Sequence, residues 1–245
     1  MVGIVVLLWL ITACSSGKNS QSFSAKVDWV ADGDTVRLDD GSKVRLLGIN
    51  TPELAKDGKP AEPLAKEARQ FLRQLIDKQT IQIITSKQTY DKYGRLLAYV
   101  FHDDTDVQVE LLKQGLASVI AIPPNVRMAD RYLAAETEAR YSEIGIWGNR
   151  YFTASPADKI DNSMDGNFKF VTGKVKTISE TESNLLLKLS KQFTVAIPHQ
   201  DWEEYWKGSV NKLSGENIEV RGWVYKVNQQ FRIRARHPVM LRILE

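Results

Sequence analysis

The sequence predicts a mainly β chain of the α+β class, built as two small barrels in series with helices added to the first. Three observations carry this expectation. Short apolar runs of strand length fill both halves, bounded by Asp-, Asn-, Gly- and Ser-rich turns. Helical periodicity is concentrated in three segments of the first half. Between the halves, residues 151–167 lose periodicity altogether. The chain has 245 residues, 43% hydrophobic and 26% charged, which is ordinary globular usage and argues against disorder or fibrous repeats.

At the N-terminus, residues 2–13 form an apolar run. Twelve helical residues rise about 18 Å, too little for a hydrocarbon core of about 30 Å. The length suits a signal-peptide core, so residues 1–13 are expected to be a signal peptide. Ile11-Thr12-Ala13-Cys14 resembles a bacterial lipobox, whose cysteine is lipidated and becomes the mature N-terminus. No Lys or Arg precedes the core, and an ordinary signal peptide or an incidental cysteine is the alternative. On the lipobox reading, residues 14–22 are a polar tether. The protein is then exported and lipid-anchored in the cell envelope through Cys14, at the outer membrane where the cell has two.

Residues 23–150 are expected to form the first domain. Thr35–Leu38 and Lys43–Ile49 flank Asp39-Asp40-Gly41-Ser42, a hairpin signal. A helix is predicted at about 63–78 from the spacing of Leu64, Ala68, Phe71, Leu72, Leu75 and Ile76, with Pro63 in its first turn. Strands follow at 80–85 and 95–101, then a short helix at about 107–114 ending at Gly115. A longer helix is predicted from about 125 to 143, with Asn125 as N-cap and Gly145 as stop. Residues 151–167 read as a linker. Residues 168–245 hold five strand runs with a short helical insert near Trp202–Lys207, between the third and the fourth. That is the order of a five-stranded OB barrel.

Composition narrows the chemistry. The net charge of +3 is too mild to demonstrate a polyanion partner, but the surplus lies wholly in residues 151–245, with 14 basic against 11 acidic side chains. Cys14 is the only cysteine, so an intrachain disulfide and a cysteine-based zinc site are both excluded. His102, His199 and His237 are far apart, which argues against a histidine-cluster metal site.

Three short segments carry the chemistry. Asp32-Gly33-Asp34-Thr35 presents carboxylates at the mouth of a strand. Arg45 through Glu53 places an arginine in an apolar strand, then Asn50, Thr51 and Glu53 around the turn fixed by Pro52. Asp91-Lys92-Tyr93-Gly94-Arg95 aims a second arginine. Oxygen ligands suit a hard cation such as calcium, and planar guanidinium groups suit bidentate contact with phosphate. A free carboxylate near water is a candidate general base. Phosphodiester hydrolysis needs those three functions together. Singly, each residue has a bland reading as a turn, a solvated cation or a cap.

In this order and spacing the three segments resemble the staphylococcal nuclease (thermonuclease) family. The resemblance covers about residues 24–148 and extends to Leu97-Ala98-Tyr99-Val100, Gln114-Gly115-Leu116-Ala117 and Gly145-Ile146-Trp147. It implies an OB barrel with three helices, and calcium-dependent hydrolysis of DNA and/or RNA leaving 3′-phosphates. It further implies that Asp34, Asn50 and Thr51 (by its carbonyl) ligate Ca2+, and that Glu53 orients or deprotonates water. Arg45 and Arg95 would grip the phosphate, with Tyr93 a further contact and Asp32 behind the ligands. Two positions depart from the family pattern. Asn50 stands where an aspartate ligand is usual, which removes one negative charge and leaves a catalytically weak or inactive nucleic-acid-binding lipoprotein as the alternative. The segment Ser118–Pro124 lacks the paired tyrosines that stack on a base.

In the second barrel, Arg232, Arg234 and Arg236 alternate along a strand, a candidate basic stripe for nucleic acid helped by Trp223 and Tyr225. The alternative is a solvated charged face over a core that holds the aromatics. Trp202, Tyr205 and Trp206 are expected to pack the helical insert onto the barrel. Nothing in the sequence points to a protein partner.

Overall fold

A computed structural model describes residues 20–206 and 209–244. Cys14, the expected signal peptide and most of the tether lie outside the described residues.

The first unit opens with β1 (Ser22–Asp32), β2 (Thr35–Leu38), β3 (Lys43–Leu46) and the two-residue β4 (Ile49–Asn50). Helix α1 (Ala65–Ile76) precedes β5 (Thr80–Tyr90), β6 (Leu96–His102) and β7 (Thr105–Asp106). Then come α2 (Val107–Lys113), β8 (Ser118–Val119) and α3 (Ala129–Tyr141). The sheet order β3-β2-β1-β5-β6 closes on itself because β3 also pairs with β6 in parallel. This is the five-stranded OB circuit, with three helices packed outside it. Val27, Val30, Val36, Val44, Leu46, Ile81, Ile83, Ala98 and Val100 fill the barrel and are fully or almost fully buried.

Two helix boundaries differ from expectation. Leu64 is in the left-handed region (φ 66°), so the regular α1 turn begins after it, at Ala65, and Pro63 lies outside the helix. Asn125 does not cap α3, which starts at Ala129. Its buried amide instead donates to the Gln88 carbonyl (2.7 Å) and accepts the Gln88 N–H (2.9 Å). These groups belong to the stretch where the β5–β6 register slips, and the amide satisfies both of them.

The second unit comprises β9 (Ser155–Pro156), β10 (Phe168–Lys174), β11 (Thr177–Glu180), β12 (Asn184–Lys188) and β13 (Phe193–Pro198). A helical insert runs through α4 (His199–Asp201) and a π-helical turn (Trp202–Trp206). Last come β14 (Asn217–Val227), β15 (Gln230–Arg234) and β16 (Leu241–Ile243). The order β11-β12-β13-β15-β14-β10, with β13 and β15 parallel, repeats the circuit of the first barrel; β10 and β11 are the two halves of its first strand. Trp202 stacks on Trp206 (6.2 Å between centroids), and Trp206 is buried in the core, as expected for the insert.

The stretch read as a linker, residues 151–167, packs against the second barrel. Ser155 and Pro156 of β9 pair in parallel with Val171 and Thr172 of β10, and Ala157 and Ile160 belong to the core. The two barrels also share buried ion pairs. Arg221 on β14 reaches both carboxylate oxygens of Glu136 on α3 at 2.5 Å. Arg140 on α3 reaches Glu219 on β14 at 2.6 Å. Among the described residues no helix is long and apolar enough to cross a membrane.

Candidate active site

The site begins at the tight turn between β1 and β2. Gly33 is required there: a Cβ at this position would lie 2.7 Å from Thr51 Oγ1 and 2.9 Å from the Ala68 Cβ. The bare backbone lets the Asp32–Asp34 turn press against the loop after β4 and the side of α1. Asp34, Asn50 and Thr51 are all buried. Arg45 on β3 ties the pieces together. Its Nη2 lies 2.8 Å from Asp34 Oδ2 and donates to the Ile49 carbonyl at 2.9 Å, while Nη1 donates to the Leu46 carbonyl. The ladder between β4 and β8 sets Asn50 against Ser118.

Carboxylates dominate the local electrostatics. Burial and then repulsion from Asp34 raise the Asp32 pKa, opposed by the Gly33 N–H, Arg45 and Arg69. Desolvation of its carboxyl, then repulsion from Asp34 and Asp32, pushes Glu53 up to about 7. The residue as a whole is exposed, so water screens part of that repulsion. Three acids thus face one another with Arg45 the principal counter-charge. Such a cluster favours a cation.

Oxygen donors are what the cluster offers: the Asp34 carboxylate, the Asn50 amide and the Thr51 carbonyl. Among the described residues, no three His, Cys, Asp or Glu side chains converge on one metal position. A cation here would need the neutral Asn50 and Thr51 oxygens as well as Asp34. That donor set is hard, and it fits calcium rather than a transition metal.

Arg95 immediately precedes β6, and the parallel register sets Arg45 opposite Leu97. Strand alternation therefore places Arg45 and Arg95 on the same outward face of neighbouring strands. Arg95 is held by Asp91, Nε to Oδ2 at 2.7 Å, and lies 5.5 Å from the ring of Tyr93, which is 72% exposed.

Arg232, Arg234 and Arg236 stand apart in the second barrel. Arg232 and Arg234 alternate with buried Phe231 and Ile233, as the pattern predicted. Arg236 lies beyond the end of β15 and makes a two-pronged pair with buried Asp201 (2.7 and 3.0 Å), so its charge is already matched. Arg232 buries its Nε without a hydrogen-bond partner, and Arg234 is exposed 5.8 Å from the Tyr225 ring.

Some residues at the site gave no sequence signal. Glu62 accepts the Glu53 N–H at 3.0 Å, and the Tyr151 hydroxyl donates to Glu62 at 3.1 Å. These contacts span sequence separations that no local pattern marks. Arg69 on α1 is another: its Nε donates to the Val30 carbonyl (3.1 Å) and its charge acts on Asp32.

Comparison with known proteins adds to this geometry. The family described as "Staphylococcal nuclease homologue" matches residues 43–149. The chain is 38% identical over 121 residues to a thermonuclease of Staphylococcus intermedius, covering 48% of this chain and 72% of that protein. It is 35% identical over 137 residues to a thermonuclease of Staphylococcus hyicus, covering 55% and 80% respectively. It is also 37% identical over 126 residues to endonuclease YncB of Bacillus subtilis, covering 49% and 60%. With the closed barrel, its three helices and the clustered Asp34, Arg45, Asn50, Thr51 and Glu53 in place, the chain belongs to the staphylococcal nuclease family.

Proposed function

We propose that this protein is a calcium-dependent nuclease that hydrolyses phosphodiester bonds of DNA and/or RNA, leaves 3′-phosphates, and is tethered to the cell envelope by a lipid on Cys14. Its nuclease character follows from its family, whose relatives here are named thermonucleases and an endonuclease. One observation carries the mechanistic part: a cluster of acids, Asp32, Asp34 and Glu53, set beside Arg45 and pressed together by the Gly33 turn.

Asp34, Asn50 and Thr51 would hold the ion, which when bound neutralises phosphoryl-oxygen charge as a Lewis acid. Glu53 takes the proton of the attacking water; its raised pKa matches a base working near neutrality. Arg45 donates to the Leu46 and Ile49 carbonyls and pairs its charge with Asp34, which fixes the guanidinium and leaves its other N–H groups for a phosphate. Arg95 must exchange Asp91 for the phosphate, and Tyr93 lies beside that exchange. The negative charge that grows on the phosphorane oxygens then meets two permanent cations.

The test is degradation of plasmid DNA and of RNA with calcium or with chelator, for wild type and Glu53→Gln. Calcium-dependent products ending in 3′-phosphate, with turnover lowered by orders of magnitude in the variant, are the expected result. Unchanged cleavage in chelator removes the ion, and near-normal activity of the variant removes Glu53. The anchor is tested separately: Cys14→Ser should move the protein from the detergent phase to the aqueous phase, and no movement refutes it.

A further inference from the structure

Glu53 stands at the mouth of a loop that has little of its own to hold it. None of residues 53–62 is buried, and residues 55–60 are exposed throughout. The tip turns through left-handed backbone at Asp57 (φ 51°) and Gly58 (φ 76°). It is closed by a two-way bond, from the Lys56 N–H to the Lys59 carbonyl at 3.1 Å and back at 2.9 Å. The ends are closed in the same manner. The Glu62 N–H donates to the Glu53 carbonyl at 2.9 Å, and the Glu53 N–H donates to Glu62 Oε2 at 3.0 Å. The loop is therefore an Ω-shaped excursion whose ends meet at Glu53 and Glu62. With so little apolar burial, its position is set by polar contacts.

Two side-chain bonds fasten this loop to residues beyond the first barrel. The Tyr151 hydroxyl donates to Glu62 Oε1 at 3.1 Å, and Lys59 Nζ donates to Asn167 Oδ1 at 3.0 Å. Both anchors are themselves held. Tyr151 lies in the single 3-10 turn Arg150–Phe152, where its N–H is bonded to Asn149 Oδ1 at 2.9 Å. Its ring packs edge-on against Phe152 (5.0 Å between centroids), and Lys169 of β10 lies 4.8 Å from it. Asn167 directly precedes β10. Its amide donates to the Ser163 carbonyl at 2.8 Å, and its own carbonyl accepts the Val224 N–H of β14 at 2.9 Å.

Glu62 is the joint between the two systems. One carboxylate oxygen takes the Glu53 backbone and the other takes Tyr151, and hydrogen bonds to an ionised acceptor are the strong kind. We infer that Glu62 and Tyr151 are positioning residues for Glu53, through which the second barrel braces the loop that carries the base. This deepens the nuclease reading and rests on it for the role of Glu53. It gives the second barrel a task that needs no contact with substrate. If Glu62 only closed its own loop, the Tyr151 hydroxyl could be removed without consequence.

The test pairs hydrogen exchange of residues 53–62 in chelator, which reads the loop without cleavage, with kcat and KM in calcium. Tyr151→Phe keeps the ring and deletes only the hydroxyl. It should speed exchange in the loop and lower kcat, each about tenfold, with KM within about twofold. Glu62→Ala frees the Glu53 N–H as well and should lower kcat about 100-fold. Glu62→Gln can keep both links, accepting from Glu53 and donating to the Tyr151 oxygen, and should stay within about threefold of wild type. Unchanged exchange in Tyr151→Phe overturns the inference, as does faster exchange with unchanged kcat. A Glu62→Gln variant as impaired as Glu62→Ala also overturns it, because charge and not the link would then matter. A wild type that cleaves neither DNA nor RNA defeats the nuclease reading, while faster loop exchange in Tyr151→Phe would still uphold the brace.

Discussion

Replacing Arg221 with methionine should cost this protein about 3 kcal/mol, and the structure says where the cost arises. Glu136 keeps 1% of its side-chain surface exposed and Arg221 4%, so the pair is almost fully removed from water. Removing one partner of such a pair typically costs about 3–5 kcal/mol, because the other charge stays buried without compensation. Two features place Arg221→Met at the low end. Glu136 still accepts the Val119 N–H at 2.6 Å, and Arg140 stands 3.9 Å away. Methionine keeps most of the apolar stem beside Phe170, whose ring lies 5.4 Å from the guanidinium. Denaturant unfolding of wild type, Arg221→Met and the double variant Glu136→Gln/Arg221→Met measures it. The double variant should recover at least half the loss, since the amide still accepts the Val119 N–H and no charge is stranded. A loss below about 1 kcal/mol in the single variant, or a double variant less stable than the single, refutes the account. The effect should also be felt at a distance. Val119 pairs with Ile49 in the ladder that positions Asn50, so Arg221→Met should weaken calcium binding without touching a ligand.

Other expectations follow from the same geometry. Asn50→Asp adds a fourth acid to the cluster: calorimetry should show tighter calcium binding, and the ion-free protein should be less stable, whereas unchanged affinity removes Asn50 as a ligand. Glu53 titrates with a raised pKa in the fold, so its stabilising contribution is present below its ordinary value of 4.5 and is lost as pH rises through about 7. The ion-free protein should therefore lose stability between about pH 4.5 and 7 relative to Glu53→Gln, and parallel pH profiles for the two proteins in denaturant refute the shift. Arg236→Ala strands buried Asp201 and should destabilise the fold by about 2 kcal/mol while leaving the salt slope of nucleic-acid binding unchanged. A reduced slope with unchanged stability would return Arg236 to the substrate.

The barrels were legible because strand alternation and Asp-Gly turns are local, and so were the three site segments. Asp34, Asn50, Thr51 and Glu53 lie within two turns whose chemistry reads from residue type alone. What the sequence hid was long-range satisfaction of polar groups. Asn125 looked like a cap, yet its amide serves the Gln88 backbone 37 residues away. Arg236 continued an alternating pattern of arginines, but the strand ends at Arg234 and a buried carboxylate claims the next cation. Residues 151–167 looked like a linker because a polar surface over two small apolar anchors, Ala157 and Ile160, has no period. In each case the deciding partner is distant in sequence and close in space.

Both barrels have the same strand circuit, so the circuit cannot be what makes one of them catalytic. The difference lies in how each treats its buried charges. In the second barrel each has an opposite charge beside it: Arg221 meets Glu136 of α3, Glu219 meets Arg140 of α3 and Arg242, and Asp201 meets Arg236. Such pairs fix docking and the insert, and they offer nothing to a ligand. In the first barrel Asp32, Asp34 and Glu53 are gathered against Arg45, and burial together with their mutual repulsion raises the pKa values of Asp32 and Glu53. A fold tolerates that imbalance when something outside the chain completes it. The Gly33 turn enforces it, since any side chain there would push Asp34 away from Thr51 and relieve the repulsion. Gly33→Ala should then lower the Glu53 pKa toward its ordinary value and abolish calcium binding together. A variant that still binds calcium with a normalised Glu53 would separate the two and defeat this account.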